Sequence, residues 1–155
     1  MLRRIISGGQ TGVDRGALDA ALELGFPCGG ACPAGRIAED GRVPDRYPLF
    51  ELKSMSYRSR TLRNVADSDG TVILPFGELE GGTATTRDLC TQLGKPAKLI
   101  NGAELGAEPA AAAVLEFVAK HRIAVLNVAG PRASRMPQAH AYTYAVIRNV
   151  LMRSA

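Results

Sequence analysis

The chain has 155 residues, of which 46% are hydrophobic, and this composition suits one globular domain with a sizeable core. Its 19 basic and 15 acidic residues give a net charge of +4, but the basic residues are scattered and aromatic residues make up only 5%, so we expect no nucleic-acid partner. No apolar run approaches the roughly 18 residues of a membrane span, so we expect no membrane partner. The apolar stretch after Met1 is too short for a secretory signal, so we expect a cytoplasmic protein.

Apolar runs and helical patterns alternate through the first half of the chain. The run RRIIS predicts a short buried strand, and apolar residues then recur at helical spacing from Val13 to Leu22. FPCGGACP predicts a second short strand, and the polar, turn-rich segment 34–48 predicts a long loop of the kind that is usually functional or disordered. LFELK predicts an edge strand, and YRSRTLRNVADSD predicts a helix with Leu62, Val65 and Ala66 on one face.

The second half of the chain continues the alternation, beginning with GTVILPF, which is apolar throughout, as expected of a strand covered on both faces. Helices are predicted in TTRDLCTQLG, which ends at Gly94, over residues 111–118 and in HAYTYAVIRNVLMR, and strands in KPAKLIN and IAVLNVAG. This alternation predicts an α/β fold, a Rossmann-like, doubly wound and mainly parallel sheet with helices on both faces. Because we find no linker or repeat, residues 1–155 are expected to form a single domain.

The three cysteines of the chain, Cys28, Cys32 and Cys90, are an odd number, which argues against a disulfide framework. Cys28 and Cys32 have no second pair downstream, and the chain has only two histidines, so buried small residues are the better interpretation than a metal site. We therefore assign no metal ligand.

Three predicted loops, 7–14, 77–86 and 130–134, leave strand ends with residues suited to an anion. The first two share paired glycines followed by a threonine three residues ahead of an aspartate. In a doubly wound sheet, ligands bind outside the carboxyl ends of the strands, where glycines and free helix N–H groups favour a phosphate. The alternative is that each loop is an ordinary turn with a capping box, and neither matches a Walker A or a clean G-x-G-x-x-G motif. We predict one site, with the binding residues Ser7, Gly8, Gly9, Thr11, Gly12, Asp14, Gly81, Gly82, Thr83, Thr85, Gly130 and Arg132.

Several segments resemble the SLOG superfamily of Rossmann-like proteins. GTVILPFGELEGGTATTRD is similar to its glycine motif, P-G-G-x-G-T-x-x-E. ISGGQTGVDRGALDAAL, CPAGRIAEDGRVP, YPLFEL, RTLRNVADSDGTVIL and NVAGPRAS resemble its circularly permuted YpsA-like branch, whose members are often labelled "putative molybdenum carrier protein". The resemblance covers almost the whole chain. It implies that the NVAGPR strand is the counterpart of the first strand in unpermuted relatives, moved to the end.

The resemblance also implies two catalytic candidates. In the LOG-type phosphoribohydrolases, which release a base from a nucleoside monophosphate, a catalytic glutamate ends the glycine motif, and Asp88 stands there in this chain. The same enzymes have an arginine nine residues before the acidic residue that opens the strand; here Asp69 opens the strand and Arg60 lies nine residues back. The chain departs from the motif at Glu80, which replaces the proline, and at Ala84, which replaces the third glycine.

We therefore expect the partner to be a phosphorylated small molecule. The first hypothesis is a nucleotide-binding protein. If Arg60 and Asp88 are catalytic, this protein would also hydrolyse the glycosidic bond of a nucleoside monophosphate. The second is a carrier that binds a molybdopterin-type cofactor through its phosphate without catalysis. The third is a nucleotide-sensing module that signals to a partner. Arg36, Glu39 and Asp40 are candidates to close over a base, and solvated loop charge is the alternative.

The last predicted helix carries a wide apolar belt, which predicts self-association as a homodimer or a higher homo-oligomer. The alternative is that the helix lies deep between the sheet and the other helices. The residues of the belt are Tyr142, Tyr144, Val146, Ile147, Val150 and Leu151.

Overall fold

The computed structural model describes residues 1–154 of the chain; Ala155, which we included in the predicted domain, lies outside the described residues. The strands are β1 Arg4–Ile6, β2 Cys28–Gly29, β3 Ala31–Cys32, β4 Ile37–Ala38, β5 Gly41–Arg42, β6 Phe50–Glu51, β7 Gly70–Ile73, β8 Ala97–Leu99 and β9 Val125–Ala129. The helices are α1 Val13–Glu23, α2 Tyr57–Asp67, α3 Gly81–Leu93, α4 Ala107–His121 and α5 Ala139–Arg153, and a short 3₁₀ turn covers Ala34–Arg36.

The central sheet has five parallel strands in the order β2-β1-β9-β7-β8. The last strand of the chain therefore lies in the middle, with Leu126 opposite Ile5 on one side and Val128 opposite Val72 on the other. If β9 is numbered first, the order becomes 3-2-1-4-5, which is the doubly wound arrangement. The structure thus confirms the predicted fold class and shows the permutation that the sequence resemblance implied.

Helices cover both faces of this sheet. On one face, alternate strand residues such as Ile5, Val72 and Leu126 form the main core with the inner faces of α1, α4 and α5. On the other face, α2 and α3 pack against each other and against β7 and β9, and Val65 of α2 meets Leu89 of α3. Because the core lies within these layers, the strand ends and their loops are free to form a site.

Helix α5 is buried between α1 and α4, which is the alternative that the sequence left open for its apolar belt. Val146, Ile147 and Val150 are 0% exposed, and all three belong to the main core. The belt is therefore explained by packing within the domain. Self-association remains a prediction, without this helix to support it.

Three local features differ from the predicted pattern. Gly30 interrupts the second predicted strand: its φ is +128°, and a Cβ there would lie 2.2 Å from the carbonyl oxygen of Ser7. As a result β3 leaves the central sheet and pairs with β6, so LFELK is not an edge strand of that sheet. Segment 34–48 is ordered around the hairpin of β4 and β5, and Leu62 is exposed on α2.

Across residues 1–154, no helix combines the length and apolarity needed to cross a membrane.

Candidate functional site

A cavity of about 280 Å³ opens at the carboxyl ends of the central strands, between the start of α3 and one face of α2. Gly8 from the β1–α1 loop and Gly82 from α3 both line it, so the two predicted glycine loops meet at one edge of the sheet. This edge is also where the strand order reverses in a doubly wound fold, the usual position of a ligand. The predicted residues that line it are Gly8, Asp14, Arg60, Gly81, Gly82, Thr83, Thr85, Gly130 and Arg132.

The first turn of α3 presents unpaired N–H groups to this cavity. The helix begins at Gly81, four residues earlier than the predicted TTRDLCTQLG helix, so the predicted glycine loop is in fact a helix N-terminus. Glu80 is the N-cap but supplies no side-chain cap. Its carbonyl accepts the N–H groups of Thr83 and Ala84, and nothing in residues 1–154 accepts those of Gly81 and Gly82. Free N–H groups at a helix start attract anions through hydrogen bonds and the helix dipole.

The β1–α1 loop, by contrast, has its polar groups occupied within the chain. Ser7 Oγ donates to the carbonyl of Val128 at 2.7 Å. Thr11 Oγ1 donates to Glu39 and accepts the N–H of Ala133 at 3.1 Å. These groups are therefore already satisfied, and the structure does not bring Ser7 or Thr11 into the lining of the cavity.

The glycines of this loop serve close packing rather than an open cradle. At Gly12 a Cβ would lie 2.5 Å from the carbonyl oxygen of Pro131. That carbonyl also accepts the first N–H of α1, from Val13, at 3.2 Å. Gly9, with φ +79°, packs against Leu49. Neither Gly9 nor Gly12 lines the cavity, so the start of α1 is closed to an anion by the chain itself.

Arg60 reaches the cavity because Gly8 has no side chain. A Cβ on Gly8 would lie 2.5 Å from the Arg60 side chain, and the guanidinium donates to the Gly8 carbonyl at 2.9 Å. The same guanidinium lies 3.9 Å from the carboxylate of Asp14, and its carbon is 5.3 Å from the centre of the Tyr57 ring. Arg60 is therefore held in one place on the cavity wall by three different groups.

Asp14 is the buried carboxyl group of the site. Its side chain is only 10% exposed, and it accepts the N–H of Gln10 at 3.2 Å. Burial raises the pKa of Asp14, and the nearby Arg60 guanidinium lowers it by less. Raised carboxyl pKa values are common at functional sites, because the same burial that shields a ligand also disfavours the charged acid.

Four arginines but only two carboxylates line the cavity, so its charge favours an anion. The arginines are Arg58, Arg60, Arg132 and Arg135. Sequence reasoning missed Arg135, which follows the GPRAS loop and pairs with Glu80 at 2.7 Å. It also missed the amides of Asn64, one polar residue among many in α2, and of Asn127, a buried polar residue inside an apolar strand, because neither carries a motif of its own.

Segment 34–48 is bound to the loops beside the cavity and does not cover the cavity. Glu39 accepts hydrogen bonds from the hydroxyl groups of Thr11 and Ser134 and lies 3.4 Å from the guanidinium of Arg132. Arg36 is buried and donates to three backbone carbonyls of its own segment and to that of Leu49, which follows the segment. Asp40 forms a two-bond ion pair with Arg15. None of these three charges lines the cavity, so the structure gives them a structural role.

Asp88 stands outside the cavity. It lies two turns into α3, its side chain is 58% exposed, and its carboxylate pairs with the neighbouring Arg87 at 3.2 Å. The helical start at Gly81 explains this placement, because the residues after Thr86 climb away from the sheet edge. The catalytic role that the resemblance implied for Asp88 therefore has no support from the geometry.

The comparisons with known proteins agree with the fold. Residues 5–151 match the model of the circularly permutated YpsA SLOG family. The chain belongs to this family. It is also similar, at 44% identity and a TM-score of 0.94, to the crystal structure of a "putative molybdenum carrier protein" from Syntrophus aciditrophicus SB, with 97% of this chain and 95% of that chain covered. No curated protein matches.

Membership of the permuted YpsA SLOG family confirms the resemblance seen in the sequence. Besides α2 and α3, both ends of the permuted chain contribute to the cavity, since Gly8 follows β1 and Arg132 follows β9. Within residues 1–154, no group of three or more His, Cys, Asp or Glu side chains is placed to hold a metal ion. The donors around the cavity are N–H groups, amides and arginines, which suit an oxyanion rather than a bare metal.

Proposed function

We propose that the protein binds a nucleotide or a closely related phosphorylated ligand in this cavity, with the phosphate on the first turn of α3. The observation that carries the proposal is the unpaired N–H groups of Gly81 and Gly82 at the wall of the cavity. A Cβ built on Gly82 would have no atom from outside its own helical turn within 4 Å. An anion can therefore approach the backbone of Gly82 closely. Arg60 and Arg132 supply the positive charge that a phosphate needs.

The rest of the cavity suits the sugar and base of such a ligand. Asn127 gives the wall an amide that donates to Thr71 at 3.2 Å and whose oxygen accepts no hydrogen bond within residues 1–154, whereas both ends of the Asn64 amide are bonded to the backbone of Ala31. Tyr57 lies beside Arg60 at the rim. The Tyr57 ring can stack with a base, while the oxygen of Asn127 accepts a hydrogen bond from the polar edge of that base.

Hydrolysis of the glycosidic bond is the finer part of this proposal. Cleavage leaves positive charge on the ribose, which a nearby carboxylate stabilises. Asp88 does not line the cavity, and Glu80 is paired with Arg135. Asp14 is the carboxyl group that faces the cavity beside Arg60, so we assign to Asp14 the role that the resemblance implied for Asp88.

Calorimetric titration with AMP, followed by chromatography of the same samples, tests both parts. We expect micromolar to millimolar binding, and, if Asp14 is catalytic, release of adenine that Asp14→Asn abolishes and Asp88→Asn leaves intact. No binding of AMP, ADP-ribose or phosphate would contradict the proposed function. Adenine release that depends on Asp88 rather than Asp14 would overturn the assignment of the carboxylate.

A second candidate is a carrier of a molybdopterin-type cofactor, favoured by the similarity to the "putative molybdenum carrier protein". The donors of the cavity fit the phosphate of such a cofactor through the start of α3. They do not fit direct ligation of molybdenum, because residues 1–154 offer no cluster of metal-ligating side chains. Mass spectrometry and metal analysis of the small molecules that co-purify with the protein separate the candidates: a nucleotide supports the first, and a molybdopterin supports the second.

A further inference from the structure

A second cavity of about 210 Å³ lies next to the first. The two share four lining residues, Glu80, Thr83, Pro131 and Arg135. Thr83 is in the first turn of α3, so the start of this helix stands where the two cavities adjoin. The ion pair of Glu80 with Arg135, 2.7 Å long, lies at the same boundary.

The second cavity adds apolar side chains and a phenylalanine ring to the polar residues that it shares with the first. The first is lined by amides, hydroxyl groups and arginines. The residues that line only the second are Pro75, Phe76, Met136 and Glu78, of which three are apolar. The second cavity therefore suits an arm that combines a ring with polar substituents, such as a nucleoside.

Phe76 gives the second cavity a rigid aromatic wall. Its ring meets Tyr142 edge to face, with 5.2 Å between the centroids. Gly102 lies where the two rings meet, since a Cβ there would be 2.6 Å from the Phe76 ring and 3.0 Å from the Tyr142 ring. A ring held by such contacts loses little freedom when a ligand packs on it, so its surface is already organised for binding.

The sizes of the cavities point to a ligand that uses both. Each one alone is below the roughly 300 Å³ at which pockets for drug-sized ligands begin, whereas together they fall within that class. We propose that the ligand has two arms joined by a phosphate or diphosphate at the start of α3. One arm occupies the first cavity, and an arm with an aromatic ring occupies the second, against Phe76. This inference rests on the proposed function, because it uses the same phosphate position.

Two probes that share the ADP moiety test the proposal: ADP, and P1,P2-di(adenosine-5′) diphosphate, in which a second adenosine replaces one charged oxygen of the β-phosphate. We expect calorimetry to show that the two-armed probe binds the wild-type protein about tenfold more tightly than ADP, the scale of one added stacking contact. Met136→Trp fills the second cavity, so it is expected to remove this advantage and to leave ADP affinity within about twofold. Met136→Leu keeps the wall apolar and is expected to preserve the advantage.

The outcomes of this experiment are distinct. Equal affinity of the wild-type protein for both probes overturns the second subsite and leaves the proposed function standing. A Met136→Trp protein that keeps the full advantage of the two-armed probe also overturns it. Absence of binding by either probe contradicts the proposed function and, with it, this inference. The probe comparison needs no variant, so it decides the matter even if Met136→Trp does not fold.

Discussion

The carboxylate of Glu80 lies 2.7 Å from the guanidinium of Arg135, at the mouth of the candidate site and next to the open start of α3. Related glycine motifs have a proline at the position of Glu80, and an acidic residue there would repel a phosphate. Arg135 compensates that charge from the loop after β9. The ion pair also withholds Arg135 from a bound anion.

Glu80→Gln is therefore expected to strengthen phosphate binding rather than weaken it. The change removes a negative charge beside the ligand and frees Arg135 to contact it. Both groups are partly exposed, so we expect only a three- to tenfold gain, about 1 kcal/mol. Calorimetry with AMP at two salt concentrations measures the gain, which should shrink as salt rises. Weaker binding of AMP by Glu80→Gln would show that the Glu80 carboxylate contacts the ligand itself.

Gly8→Ala is expected to displace Arg60 from the cavity wall. The added Cβ would lie 2.5 Å from the side chain of Arg60, which must then move and give up its bond to the Gly8 carbonyl. We expect a loss of about 1–3 kcal/mol in the free energy of unfolding, and weaker AMP binding as well. Gly106→Ala is a control for a Cβ added in open space, and its own cost is limited to the loss of a glycine at the N-cap of α4. A urea midpoint of Gly8→Ala equal to that of the wild-type protein would mean that Arg60 is free to move without cost.

Asp14→Asn is expected to change the pH dependence of stability. Burial raises the pKa of Asp14 in the folded protein above its unfolded value, with Arg60 offsetting part of the rise. The folded state then holds more protons than the unfolded state, so this group destabilises the fold as the pH climbs from the unfolded to the raised pKa. The asparagine variant does not titrate there.

Urea unfolding of both proteins between pH 3.5 and neutrality checks this expectation. The stability of the wild-type protein relative to Asp14→Asn should fall across that range. A rise instead would mean that the ion pair with Arg60 dominates and that the pKa of Asp14 is lowered.

Glu39→Gln is expected to loosen the contact between segment 34–48 and the two loops beside the site. Partial burial of Glu39 works to raise its pKa, but hydrogen bonds from Ser134 and Thr11 outweigh this effect and lower it. The contribution of Glu39 to stability is thus present above the unfolded pKa and lost as the pH falls through the lowered one. We expect a loss of about 1 kcal/mol at neutral pH and faster amide exchange in residues 37–42. Unchanged exchange there would show that Glu39 does not hold the segment.

The fold could be predicted because each element carries its own local pattern, such as GTVILPF for a covered strand. The site could be predicted only in part. The stretch 81–85 stands out because glycines and threonines at a strand end are typical of a phosphate-binding turn, but the sequence predicts a helix beginning at Thr85, and the helix begins at Gly81. The role of Thr11 was missed because its partner Ala133 is 122 residues away, and nothing in the local sequence shows that the hydroxyl is already bonded.

Asp88 and Asp14 show that the sequence also could not identify which carboxyl group lies at the site. The motif points to Asp88 through its position alone, whereas the helix start at Gly81 turns that residue out to solvent. Asp14 lies at the cavity next to Arg60, which comes from α2, 46 positions further along the chain. Such pairing depends on how α2 packs over the sheet, which a single sequence does not specify.

The central claim, that a phosphate binds the first turn of α3, is tested most directly by calorimetric titration of Gly82→Glu with AMP, ADP-ribose and inorganic phosphate. Gly106→Glu adds the same charge at the start of α4, where a Cβ is equally unobstructed, and serves as the control. We predict that the wild-type protein and Gly106→Glu bind within about twofold of each other and that Gly82→Glu binds at least about tenfold more weakly. Equal affinity of Gly82→Glu and the wild-type protein would contradict the account.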